Sequence, residues 1–355
     1  MNILILVSSL NYGGAEKQAL LDANMLSTGQ NVYLCSFFGG PLEQQIQPGV
    51  KLLRVQKSGY FKTALSIARL VKEHNIQIIH AHLFASSVIS ALASLLTSVS
   101  VIWHFHAHRF ESPSKGKATL KWLSRLRSVK KLLFVNTELR DYFLGDHYGF
   151  PVKKCIIMYN SAQQHPAEVH FHQGKPIRIG FIGRLVELKR VEFLVELAGW
   201  LKSRDCNDFE IEIVGDGPEK ERLEKISSEA GVSDKVHFMG FRSDTANFYA
   251  KFDLFILPSR EECLSIALID AGVWGIPSIA FAVGGNDEII RNGVTGYIVQ
   301  TKDELFDKVK YLMDQPAERE QMSKAAKEFC GSVFGEETHL ASLTNLYKGI
   351  VSAGA

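Results

Sequence analysis

At 355 residues the chain is longer than one typical domain and suggests two, and its composition, 46% hydrophobic and 22% charged, is that of an ordinary globular α/β protein. A formal net charge of +2 gives no global electrostatic reason to bind nucleic acid. Five scattered cysteines, never spaced Cys-x-x-Cys, argue against a disulfide framework or zinc ribbon and for a reduced, cytoplasmic setting.

The opening run Met1-Asn2-Ile3-Leu4-Ile5-Leu6-Val7 lacks a basic flank and a clear cleavage site, so it reads as a buried strand rather than a targeting peptide. Strand-like runs follow at residues 31–37, 51–55, 77–82, 101–106, 131–136 and 154–158, alternating with helical periodicity at 15–27, 63–74, 86–96, 117–127 and 138–148. The apolar stretch 85–101 is broken by serines and falls short of the about 20 residues a membrane span needs. Residues 160–176 are polar, carry two prolines and three histidines, and read as a linker. Strands then resume at 177–182, 210–214, 236–239, 254–257, 278–281 and 297–299, and the chain is helical from 302 onward. This alternation predicts two doubly wound domains, 1–165 and 166–332, and a terminal helix, 333–355, packing back on the first.

The densest chemistry follows the strand at 254–257, where Pro258-Ser259-Arg260-Glu261-Glu262-Cys263-Leu264-Ser265 leads into a helix carrying Asp270. Glu262 and Asp270 thus straddle a strand–loop–helix junction, the place where open parallel sheets bind ligands. Carboxylates there suit the paired hydroxyls of sugars and riboses; the same acids could equally serve a helix dipole and a solvated face. Gly183-Arg184-Leu185-Val186-Glu187-Leu188-Lys189-Arg190 follows another strand, and its cations fit either a diphosphate clamp or a solvated loop, with the strand-end position favouring the clamp. Gly13-Gly14 and Gly284-Gly285 each precede a helix and could free backbone N–H groups for an anion, although paired glycines there are also common turn chemistry, which is the better reading of Gly13-Gly14 taken alone. Glu16 stands where a third dinucleotide-fingerprint glycine is needed, so that motif fails.

His104, His106 and His108 alternate, and His80 and His82 end another strand in the same way. Three histidines on one strand crowd a tetrahedral zinc site, so no metal is expected, and His106 is taken as a polar contact at the strand's end. Residues 115–131 hold seven Lys or Arg, Trp122 and no acid, which reads as a basic amphipathic helix on a membrane surface, the alternative being a helix docked in the core by its apolar face with its cations solvated.

Together these pieces resemble the retaining glycosyltransferase family 4 group, whose fold is termed GT-B. The resemblance rests on Gly13-Gly14-x-Glu16, "IIHAH" at 78–82, "VIWHFH" at 101–106, "GRLVELK" at 183–189, "IVGDGPE" at 213–219, "FMGF" at 238–241, "PSREECLSIALIDAG" at 258–272 and "VGGNDEII" at 283–290. It implies two Rossmann-like domains facing a central cleft, with acceptor bound by the first and a nucleotide-sugar donor by the second. Arg184 and Lys189 would neutralise the departing diphosphate, Glu262 would hold the transferred sugar, and Asp270 the ribose. Gly183, Gly284, Gly285, Cys263, Leu264 and Ser265 would line the donor site, Gly13 and Gly14 would approach the diphosphate, and His106 the sugar. The family pattern ends on Glu where this chain has Asp270, and carries Gly where it has Cys263.

The resulting expectation is a cytoplasmic, peripheral-membrane enzyme moving a hexosyl group from a UDP-sugar to a glycan or lipid-linked acceptor in surface polysaccharide or lipopolysaccharide synthesis. It would need neither metal nor nucleic acid. A nucleotide-sugar epimerase of the same fold, a nicotinamide-dependent oxidoreductase and a non-catalytic sugar-binding protein are the competing readings.

Overall fold

Two parallel sheets carry the structure, a computed structural model that describes residues 1–107, 114–145, 148–162 and 174–353. The chain divides into two compact units, Met1–Asn160 with the segment from Glu336 onward, and Ser161–Gly335. The sequence reading placed these junctions near 165 and 332; most of its linker, residues 163–173, lies outside the described residues.

The first unit is built on β1 (Asn2–Val7), β2 (Asn31–Ser36), β3 (Val50–Arg54), β4 (Ile78–His82), β5 (Ser100–Phe105), β6 (Val129–Phe134) and β7 (Cys155–Ile157). They pair in the order β3-β2-β1-β4-β5-β6-β7, all parallel. Ile3 through Val7 and Ile78 through His82 are buried without alternation, as strands covered on both faces require. The connecting helices are α1 (Gly14–Leu26), α2 (Tyr60–Glu73), α3 (Leu83–Ser94), α4 (Ser114–Leu123) and α5 (Thr137–Leu144).

Several helix ends differ from expectation, α2 starting at Tyr60 rather than 63 and α5 ending at Leu144 rather than 148, and for α3 and α4 the local reason is visible. α3 starts three residues early because Leu83 turns the chain at φ +68, a left-handed conformation rare for a branched side chain. α4 ends at Leu123 rather than 127, and the segment read as one basic helix is a short helix plus the lead into β6. Two cations hold the stop: Arg125 of the segment donates to the Lys121 carbonyl (2.6 Å) and the Gly149 carbonyl (3.0 Å), and Lys154, just before β7, to the Ser124 and Leu126 carbonyls (2.9 and 2.8 Å).

The second unit repeats the plan with β8 (Ile177–Ile182), β9 (Phe209–Val214), β10 (Val236–Gly240), β11 (Leu254–Leu257), β12 (Ser278–Phe281) and β13 (Gly296–Val299), ordered β10-β9-β8-β11-β12-β13 and all parallel. Its helices are α6 (Glu192–Lys202), α7 (Lys220–Glu229), α8 (Ala246–Tyr249), α9 (Ile266–Val273), α10 (Asn286–Ile289), α11 (Lys302–Asp314) and α12 (Pro316–Phe334). A Cβ at Gly272 of α9 would sit 2.3 Å from the Cys330 sulfur of α12, so those helices touch along a glycine.

The last helix, α13 (Glu336–Ser352), belongs to the first unit. Leu343, Tyr347 and Ile350, spaced on one helical face, join the core that holds Ile3, Ile5, Ile78 and Ile102. All five cysteines are free thiols, and among the described residues no helix is long and apolar enough to cross a membrane.

Candidate active site

In the second sheet the strand order reverses between β8 and β11, so the loops that leave their carboxyl ends adjoin. The β8 loop carries Gly183, Arg184 and Lys189; the β11 loop carries Ser259 and Glu262. These loops are joined directly. Lys189 forms an ion pair with Glu262, and the same carboxylate oxygen accepts a hydrogen bond from the Ser259 hydroxyl at 2.7 Å. The Arg260 N–H donates to the Leu188 carbonyl at 2.7 Å. The Lys189 and Glu262 side chains are 22% and 11% exposed, so the pair is held by protein yet reachable from solvent.

Arg190 braces this junction. Its backbone is left-handed (φ +47), and its guanidinium donates to the Pro258 and Ser259 carbonyls at 2.7 and 3.0 Å while lying 4.1 Å from the Phe281 ring centroid. A third loop, after β12, closes on the same place. Gly284 has φ +56, and a Cβ there would stand 2.2 Å from the Glu262 carbonyl oxygen. Only glycine permits that approach. The Gly285 N–H donates to the Cys263 carbonyl at 2.6 Å. Gly183 is buttressed in the same manner, since a Cβ on Gly215 would lie 1.8 Å from its carbonyl oxygen.

Other expected donor-site residues stand around this core. Ser265 is buried and caps α9, accepting from the Leu268 N–H at 3.3 Å, and Leu264 beside it is buried. Cys263 is half-buried and Arg184 is exposed. Asp270 is half-buried in α9 near Tyr249, whose hydroxyl donates to the Ala267 carbonyl; burial first, then the Asp270 charge, raise that hydroxyl well above its usual range.

In the first unit, β1 and β4 flank the corresponding reversal. Gly13 and Gly14 are exposed where β1 passes into α1. The Glu16 carboxylate lies over Gly13, 2.3 Å from where a Cβ would be. Burial raises that carboxyl above its ordinary value, against hydrogen bonds from its own backbone and Ser9. His106 follows β5, its Nε2 3.0 Å from His82 Nδ1. Burial pushes its imidazole down to about 4, so it is neutral near pH 7. His108 lies outside the described residues.

Sequence reasoning took Arg190 for one of the clamp's cations, whereas its guanidinium braces the Glu262 loop, and it passed over Ser259, which holds the Glu262 carboxylate. It also passed over Asp22, buried among the β4 and β5 histidines.

Two family models span most of the chain: "Glycosyltransferase Family 4" matches residues 12–162 and "Glycosyl transferases group 1" matches residues 163–329. The Escherichia coli UDP-Gal:alpha-D-GlcNAc-diphosphoundecaprenol alpha-1,3-galactosyltransferase is 22% identical, over 82% of this chain and 81% of its own. The Escherichia coli O-antigen biosynthesis glycosyltransferase WbnH is 26% identical over 92% and 95%. The solved structure of Anabaena HepE in complex with UDP superposes with a TM-score of 0.84 at 18% identity, over 98% of this chain and 100% of that one, a likeness of fold. The chain belongs to glycosyltransferase family 4 and is a glycosyltransferase of the GT-B fold.

Proposed function

We propose that this glycosyltransferase moves a hexosyl group from a UDP-sugar, with retention of anomeric configuration, to a saccharide on a lipid carrier during synthesis of a surface polysaccharide or lipopolysaccharide. The observation that carries the reading is the meeting of Lys189, Glu262 and Ser259 at the strand-order reversal of the second unit. As the glycosidic bond breaks, negative charge gathers on the leaving diphosphate; Lys189, with exposed Arg184 on the same loop, is placed to neutralise it. Both protein bonds to the Glu262 carboxylate converge on Oε1, which leaves Oε2 for sugar hydroxyls. Asp270 takes the ribose hydroxyls, and the backbone at Gly183, Gly284 and Gly285 lines the donor with Cys263, Leu264 and Ser265. On the first unit, Gly13 and Gly14 face ligand at that sheet's own reversal, and His106 faces it from the end of the next strand, β5.

The uridine donor and lipid carrier are supported by the galactosyltransferase relative, whose name contains both, and by the UDP complex of HepE. Charge neutralisation by side chains needs no metal for transfer. Membrane association is supported by Trp122, 60% exposed on α4 beside exposed Lys121, with exposed Arg127 a few residues on. On this reading the enzyme works at the inner face of the cell membrane.

The test is a thermal-shift and calorimetry screen of UDP, GDP, ADP and their hexose conjugates with and without EDTA, followed by NMR of the product's anomeric proton. Stabilisation by one uridine series, indifferent to EDTA, with a retained anomer is expected. Preference for GDP or ADP would replace the donor, and an inverted anomer would overturn retention.

A further inference from the structure

β4 and β5 are neighbours in the first sheet, with His82 in register with His104 and His80 with Ile102. Alternation along each strand therefore places His80, His82, His104 and His106 in one layer. Ring centroids are 4.5 Å apart for His80–His82, 5.3 Å for His80–His104 and 5.2 Å for His82–His104. Helix α1 adds Asp22, and the four residues Asp22, His80, His82 and His104 are each completely buried.

Each of these groups has one polar atom held by a protein partner. His104 Nε2 is 3.3 Å from the Met158 carbonyl oxygen, which can only accept, so the proton is on Nε2 and Nδ1 bears a lone pair. His80 Nδ1 lies 2.6 Å from the Tyr347 hydroxyl, and His82 Nδ1 3.0 Å from His106 Nε2. Asp22 Oδ1 accepts from the Gln18 amide at 2.7 Å and lies 2.8 Å from His339 Nε2. The second atom of each group, Asp22 Oδ2, His80 Nε2, His82 Nε2 and His104 Nδ1, has no hydrogen-bond partner among the described residues. His82 Nε2 and Asp22 Oδ2 are 3.8 Å apart, and the four residues offer ligating atoms that all lie within 4.8 Å of one another.

Asp22 Oδ2 and His104 Nδ1 can only accept, and buried polar groups are nearly always partnered, so four unpartnered atoms drawn this close together call for a common partner. We propose that Asp22, His80, His82 and His104 bind one divalent transition-metal ion of the zinc class in a closed tetrahedral site. Three imidazoles and a carboxylate, without thiolate, are a borderline donor set suited to that ion. Four protein ligands and complete burial leave no open coordination position, so the ion is structural and stands apart from sugar transfer. The outer contacts match the role: a ligating imidazole donates its other N–H, which fixes tautomer and orientation. Tyr347 and His339 of α13 supply two of these contacts, so the ion ties α13 to α1, β4 and β5.

The test uses the tag-free full chain expressed with zinc supplementation. Elemental analysis should find one zinc per chain; chelator should remove it and lower the Tm, and added Zn2+ should restore both. Refilling with Co2+ should give the strong visible absorption of a tetrahedral site. Asp22→Asn and His104→Gln should lose the ion, and if either fails to fold, the wild-type Co2+ spectrum and reversible Tm shift decide. A chain free of metal whose Tm and absorption ignore added Zn2+ and Co2+ would overturn the proposal. So would a folded Asp22→Asn/His104→Gln double variant that keeps its ion.

Discussion

Gly284→Ala isolates the contact that sets Glu262. A methyl group at this position would lie 2.2 Å from the Glu262 carbonyl oxygen, 2.7 Å from its carbon and 2.9 Å from the Cys263 carbonyl oxygen, all backbone. None can rotate away as a side-chain tip would, so the two loops must part by roughly an ångström, a displacement that can cost about 100-fold in rate at a catalytic centre. The φ of +56 adds the strain of a left-handed alanine, about 1–2 kcal/mol. A unit of this size should then melt lower by roughly 2–8 °C. Gly231→Ala is the control: its φ is +64, but a Cβ there meets nothing within 4 Å. It should carry the φ strain alone and leave transfer intact. Initial-rate transfer assays on the established donor, paired with thermal melts, separate the two. If Gly284→Ala transfers at the wild-type rate, or if both variants lose rate equally, the packing of these loops does not position Glu262.

Lys189→Ala and Glu262→Ala should each lower kcat by at least about 100-fold, the scale for removing one group that stabilises transition-state charge. Because the pair is partly exposed, melting should fall by no more than the equivalent of roughly 1 kcal/mol; a collapse of stability with kcat per folded molecule unchanged would make the pair structural. Leu343→Ala, on the buried face of α13, should cost about 2–5 kcal/mol by denaturant titration, and a loss below roughly 1 kcal/mol would show that α13 is not core. Lys121→Glu with Arg127→Glu should weaken sedimentation with anionic vesicles by roughly 30-fold, taking about 1 kcal/mol per basic residue. Unchanged sedimentation would remove this segment from membrane binding.

Much of the architecture was legible because the strands of a doubly covered sheet are continuous apolar runs, and β8 and β11 begin and end where their runs do. Lys189 and Glu262 were legible as chemistry at strand ends. Their braces were less so: Arg190, read as a cation of the clamp, acts through carbonyls some 70 positions on and leaves no periodic trace, while Ser259 is one hydroxyl in a polar loop, three positions from the carboxylate it holds. The basic segment misled for a related reason. Seven cations look alike in sequence, yet Arg125 is committed to backbone carbonyls that end α4, while Lys121 is left outside. The histidine layer shows the same limit from the other side. Alternation within "IIHAH" and "VIWHFH" is plain, but that β4 lies beside β5, and that α1 brings Asp22 to both, is a property of topology.

Because α13 completes the first unit, the order in which the protein is made differs from the order of its cores. A ribosome has finished residues 161–335 before it reaches Leu343 and Tyr347, so the second unit can fold while the first still lacks a wall. Until then the face formed by Ile3, Ile5, Ile78 and Ile102 has no α13 to cover it, a hydrophobic surface on a nascent chain for which chaperones compete. Cutting the gene after Gly335, where the second unit ends, would therefore damage the half of the molecule encoded farthest from the cut.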